Sequence, residues 1–254
     1  MDYEKRRQAI IDHEGWEEYR DSPRRRGGGR TSGPQARRPA SRRGNRLLAG
    51  LLAVLTAAVL VTGGLRLAGR SVDPEEVEAR LPEYVAKDLL PENPWSRPGL
   101  PLEEVRGVVL HYVGNPGTSA QANRNYFASL ADGAEGVYAS SHFIVGLEGE
   151  VLQCVPLTEI AYASNRRNDD TLSVEVCHPG EDGQYGAETY RRVVELTAWL
   201  CREFRLDPQK DLIRHYDVTG KRCPLYYVEH PEAWDQLRND VEAEMQAQAE
   251  RERT

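Results

Sequence analysis

Val105–Val113 reads VRGVVLHYV. After Arg106 and Gly107 it is β-branched and apolar up to His111, and it runs into the turn residues Gly114, Asn115, Pro116 and Gly117. A short apolar run closed by turn signals is a buried strand. The elements that follow alternate in kind. Ser119–Leu130 has helical spacing, and His142–Val145 and Val151–Val155 flank Glu148-Gly149 as the arms of a hairpin. LSVEVC over Leu172–Cys177 places Leu172, Val174 and Val176 on one face and Ser173, Glu175 and Cys177 on the other. Thr189–Phe204 carries Val193, Val194, Leu196, Thr197, Leu200 and Cys201 along one helical side. Leu212–Arg214 is a last short strand, and Pro231–Ala249 a polar terminal helix. This alternation predicts an α/β domain over residues 102–250, a mixed central β-sheet flanked by helices. No internal repeat is present.

Upstream of that domain the composition changes twice. Residues 70–101 carry Pro74, Pro82, Pro91, Pro94, Pro98 and Pro101. Proline removes donors and fixes φ, which excludes a long helix or a central strand and allows a short helix after Pro74. The stretch reads as a linker holding the next domain away from a membrane. Before it, residues 47–65 read LLAGLLAVLTAAVLVTGGL, nineteen residues without a charge. At 1.5 Å per residue, about 20 apolar residues cross a bilayer core, so 47–69 is expected to be one transmembrane helix. A cleaved signal peptide would need a shorter apolar run and a short leader, whereas 46 residues precede this one. Ser22–Arg46 holds nine Arg and no acid, which places the N-terminus in the cytoplasm and the later domain outside it. Residues 1–46, rich in Arg, Gly, Pro and Ser, read as a disordered basic tail.

Charge follows the same division. The formal net charge is −7, yet residues 1–46 hold 13 of the 33 Lys/Arg and only 7 of the 40 Asp/Glu. An acidic outer domain without clustered Lys/Arg argues against a nucleic-acid binder. Four cysteines exclude a disulfide-dense scaffold, and the spacing of Cys154, Cys177, Cys201 and Cys223 shows no compact framework. Cys154 and Cys177 fall in strands and Cys201 on a helix face, as buried thiols. Cys223 differs. It lies in IRHYDVTGKRCP (213–224), eight residues after His215 and next to Pro224. A His and a Cys at a strand end are a candidate zinc pair, and His111 at the mouth of its strand is the candidate third ligand. From residue types alone, core or surface histidines remain the other reading.

Four ordered segments resolve that choice: VVLHYVGNPG (108–117), ASSHFIVGLEGEVLQCVP (139–156), LSVEVCHP (172–179) and IRHYDVTGKRCP (213–224). In order and spacing they resemble the type 2 family of zinc-dependent N-acetylmuramoyl-L-alanine amidases, related to phage lysozyme-type amidases and peptidoglycan recognition proteins. The resemblance covers nearly the whole outer domain. It implies a Zn2+ held by His111, His215 and Cys223, with Glu175 as the catalytic carboxylate and Lys221 stabilising the oxyanion. It implies hydrolysis of the amide between N-acetylmuramic acid and L-alanine, with peptidoglycan and its muramyl stem peptide as partner and no nucleic acid. Tyr112, Tyr162 and Asn165 are expected to line a groove for sugar or stem peptide, His142 to hold the site wall, His178 to line the cleft rim and His230 to lie on the surface.

The sequence departs from the family at Ser141, where some relatives carry Tyr, and at IAYASN (160–165), where many carry a Trp-His pair. With the anchor, the expected protein is a peptidoglycan amidase on the outer side of a bacterial plasma membrane. Two other readings are a non-catalytic peptidoglycan-binding receptor module and a membrane-tethered scaffold. Relatives that only bind lack the cysteine ligand, and Cys223 is present.

Overall fold

The computed structural model describes residues 72–253, whose strands form one six-stranded sheet. The tail expected over 1–46, the transmembrane helix expected over 47–69, and His13 lie outside the described residues. Among those described, no helix is long and apolar enough to cross a membrane. In chain order the elements are α1 (Pro74–Glu78), β1 (Val85–Lys87), β2 (Val108–Leu110), α2 (Ala120–Ser129), β3 (Phe143–Val145), β4 (Val151–Gln153), β5 (Leu172–Val176), α3 (Ala187–Phe204), β6 (Leu212–Arg214), α4 (His215–Thr219), α5 (Leu225–Glu229) and α6 (Pro231–Arg251). The sheet order is β1-β4-β3-β5-β2-β6. Only the β3–β4 hairpin is antiparallel, which makes the sheet mixed. Gly149, at φ 79°, supplies the left-handed position that its turn requires.

Alternation along the strands sends one set of side chains to each face. Val108, Leu110, Phe143, Val145, Leu172, Val174 and Val176 pack with Val193, Leu196, Leu200 and Phe204 of α3. Trp234, Leu237 and Val241 of α6 belong to the same cluster, behind α3. Each fully buried aliphatic side chain contributes about 1.5–3 kcal/mol, so this face supplies most of the core. Ser119 opens α2 by accepting from the Ala122 amide, and Arg205 in the left-handed region closes α3. The opposite face is thinner: Val113, Ile144, Cys154 and Cys177 pack with Ala120 and Phe127 of α2. Glu175 and His111 follow its parity, and their polarity leaves room for a site there.

The linker expected over 70–101 is corrected in its described part. Residues 72–101 belong to the folded domain. β1 is an edge strand beside β4, and Val77, Leu90 and Leu100 are buried. Glu78 Oε2 accepts from Gln153 Nε2 (2.8 Å) and from the Leu157 amide (2.9 Å). Arg97 makes a two-point ion pair with Glu159 (2.9 and 2.7 Å) and donates to the Leu90 carbonyl. Prolines exclude a central strand, and the proline-free run 83–90 needs only an edge position.

Candidate metal centre

Three neighbouring parallel strands deliver the site. β2 pairs Val109 with Ser173 of β5 and with Ile213 of β6. Two residues further along all three chains stand His111, Glu175 and His215, at the same level and just at the carboxyl ends of the strands. Open α/β sheets bind ligands at that end. The remaining member arrives by a turn: α4 ends at Gly220 (φ 81°), and the Tyr216 amide donates to the Cys223 carbonyl (2.9 Å), returning Cys223 to the sheet.

The result is a buried cluster. His111 Nδ1 lies 3.9 Å from Cys223 Sγ and 3.9 Å from Glu175 Oε1, and the two imidazole centroids are 4.6 Å apart. One ligand atom from each of His111, His215 and Cys223 falls within 4.8 Å of the others. Tetrahedral coordination at about 2.0–2.3 Å sets ligand atoms about 3.3–3.8 Å apart, so small side-chain adjustments close the set around one ion.

Electrostatics point the same way. Burial, with the electrostatic influence of His215 and Lys221 behind it, holds the His111 imidazole well below its ordinary range. Burial and Lys221 bring His215 down to about 4. Both rings are therefore neutral at pH 7, the form that donates to a metal. Burial and the nearby Glu175 push the Cys223 thiol up to about 12, while the Tyr112 backbone N–H and Lys221 pull against them. Burial lifts the Glu175 carboxyl to about 8, opposed by Lys221. A bound cation favours the anionic forms of Cys223 and Glu175, which the bare pocket disfavours. The residues present fit such an ion. Glu175 Oε2 is buried with no hydrogen-bond partner, while the side chain as a whole keeps 18% exposure.

The other expected site residues are distributed unevenly. Lys221 is exposed on the turn before Cys223 and acts electrostatically on all four clustered groups. Tyr112 is partly buried beside the cluster, its ring 5.1 Å from that of His178. Tyr162 is 4% exposed and packs edge-on against Tyr138, which limits what it can offer a ligand. Asn165 turns its Oδ1 to His215 Nε2 (3.2 Å).

His142 is fully buried. The Ser173 amide donates to its Nδ1 (3.0 Å), and its Nε2 faces the Glu159 carbonyl (2.9 Å), which fixes the β3–β5 wall. His178 is corrected from rim to interior: it is 1% exposed, its ring nitrogens facing the Gly180 and Val113 carbonyls. Ser141 is buried, with its hydroxyl 2.9 Å from the main-chain carbonyls of both Phe143 and Ser173 and one proton to share between them. His230 is on the surface, near Glu232. The cysteines are all free and buried.

Two residues escaped the sequence reading. Ser164 Oγ lies 3.2 Å from His111 Nε2, and the Tyr185 hydroxyl donates to the His111 carbonyl (3.1 Å). Ser164 adjoins Asn165 in IAYASN, but no spacing rule links it to a strand 53 residues earlier.

Residues 101–225 match the family model Amidase_2, N-acetylmuramoyl-L-alanine amidase, and contain all four segments of the resemblance. The chain is 34% identical over 176 residues to the N-acetylmuramoyl-L-alanine amidase BlyA of Bacillus subtilis (strain 168), covering 61% of this chain and 46% of that protein. It is 33% identical over 171 residues to the amidase CwlL of Bacillus licheniformis, covering 63% and 47%. The chain thus spans about half the length of the curated relatives it matches. Among solved structures, a mutant endolysin from Bacillus subtilis superposes with TM-score 0.52 at 21% identity, over 62% of this chain and 97% of that one. The catalytic domain of XlyA gives 0.52 at 22%, over 62% and 98%. These two likenesses show the fold.

Proposed function

We propose that this chain, whose residues 101–225 form a domain of the N-acetylmuramoyl-L-alanine amidase family, is a membrane-anchored, zinc-dependent peptidoglycan hydrolase. It cleaves the amide between N-acetylmuramic acid and L-alanine. The observation that carries this reading is the convergence of His111, His215 and Cys223 beside the unpartnered Oε2 of Glu175.

His111, His215 and Cys223 would hold the ion. Bound zinc supplies Lewis acidity, polarising a carbonyl and making water acidic near neutral pH. Glu175 Oε2 gives up no existing bond when it accepts a proton from the attacking water, and it then passes that proton to the leaving amide nitrogen. The Lys221 ammonium offers positive charge to the oxyanion that develops on the scissile carbonyl. Tyr112, partly buried beside the cluster, would offer its ring to sugar or stem peptide.

The uncharged run 47–65 and the arginines before it support a single-pass anchor with a cytoplasmic N-terminus. Peptidoglycan lies beyond the bacterial plasma membrane, so topology and chemistry meet in one compartment. The test is product identity. Digestion of purified peptidoglycan should release stem peptides with new L-alanine amino termini. New reducing sugar ends without them would contradict the reading.

A further inference from the structure

The loop 162–168 does more than connect strands. Two consecutive residues, Ser164 and Asn165, each turn a side-chain oxygen onto the far nitrogen of a different imidazole: Ser164 Oγ to His111 Nε2 and Asn165 Oδ1 to His215 Nε2, both at 3.2 Å. The amide oxygen of Asn165 only accepts, so His215 Nε2 carries the proton and its Nδ1 lone pair is free. With Ser164 accepting in the same way, His111 Nδ1 keeps its lone pair toward Cys223.

The loop is held so that both oxygens stay in place. The Ala163 and Ser164 amides donate to Asn168 Oδ1 (3.1 and 2.6 Å), and the Tyr162 amide donates to Ser140 Oγ (2.9 Å). Asn165 sits at φ 50°, a left-handed conformation that asparagine tolerates better than most residues. Ser164 is 1% exposed, so water does not compete for its hydroxyl.

We propose that Ser164 and Asn165 are positioning residues of the metal centre, fixing both histidines in the Nε2–H tautomer so that their Nδ1 atoms converge with Cys223 on one ion. This inference rests on the metal reading given above. Partners of this kind typically govern about 10–100-fold in metal affinity.

The test uses the full-length chain purified in detergent, with zinc affinity measured by chelator competition, the ligand-field spectrum of the cobalt-substituted protein, and the melting temperature of the metal-free form. Asn165→Gly keeps the left-handed backbone and removes the oxygen; Ser164→Ala removes the hydroxyl; Asn165→Asp keeps an acceptor. The expected result is a zinc affinity about 10–100-fold weaker in Asn165→Gly and Ser164→Ala, with an altered cobalt spectrum, an unchanged metal-free melting temperature, and near-parent affinity in Asn165→Asp. Parent-like zinc affinity in both Asn165→Gly and Ser164→Ala would overturn the positioning role while leaving the metal centre standing. A parent chain that binds no zinc would overturn the metal reading and this inference with it.

Discussion

At Glu175 two demands meet: a base must be reachable by substrate, and it must lie next to the cluster that activates the reaction. The side chain meets both, 3.9 Å from His111 and still partly exposed. Glu175→Ala should keep its zinc and lose about 10²–10⁴-fold in hydrolysis, read from turnover beside metal content; retained turnover would remove Glu175 as the base. Cys223→Ser replaces the softest ligand of the set, and metal analysis after dialysis should fall from about one zinc per chain to a small fraction. Unchanged content would remove Cys223 from the ligand set. Of these residues, Glu175 was named by the family resemblance, and the alternation of LSVEVC agreed by putting it off the aliphatic face together with Ser173 and Cys177. His111 and Cys223 stood out by their turn-flanked positions. Ser164 was not legible, because its partner is set by how a loop folds back rather than by period or spacing.

Elements show the same division between local pattern and long-range pairing. The hairpin, the long helix α3 and the strand β5 follow from periodicity, since each buries one face. The edge strand β1 does not, because proline content reports what the chain cannot do and leaves the edge open. His142 locks β3 to β5, and burial brings its imidazole down to about 4, from an ordinary 6.5. With the folded pKa depressed, the neutral ring stabilises the fold above pH 6.5, and this contribution is lost as pH falls toward 4. Between pH 7.5 and 5 the loss is on the order of 2 kcal/mol. His142→Gln in the metal-free protein should lower stability at neutral pH and flatten that acid limb by a similar amount, measured by urea denaturation at both values. An acid limb as steep as the parent's would remove His142 as a contributor beside His111 and His215.

For the whole molecule, the folded unit begins upstream of residue 102. Chain 72–254 should unfold in one cooperative transition, whereas chain 102–254 loses β1, Leu90, Leu100 and the Arg97–Glu159 pair and should melt at least several degrees lower or fail to fold. Equal melting temperatures would return residues 72–101 to the role of linker. The register of β5, β2 and β6 explains why chemistry spread over more than a hundred residues of sequence meets at one sheet end. That meeting became legible only through several ordered segments taken together, since two histidines and a cysteine so far apart specify little alone. The measurement that bears most directly on the account is metal dependence of bond cleavage. The zinc-loaded chain, its chelated form and the chelated form resupplied with zinc are each incubated with purified peptidoglycan, and new L-alanine amino termini are counted. Release is expected from the first, none from the second and recovery in the third; undiminished release after complete removal of the metal would contradict a zinc-dependent amidase.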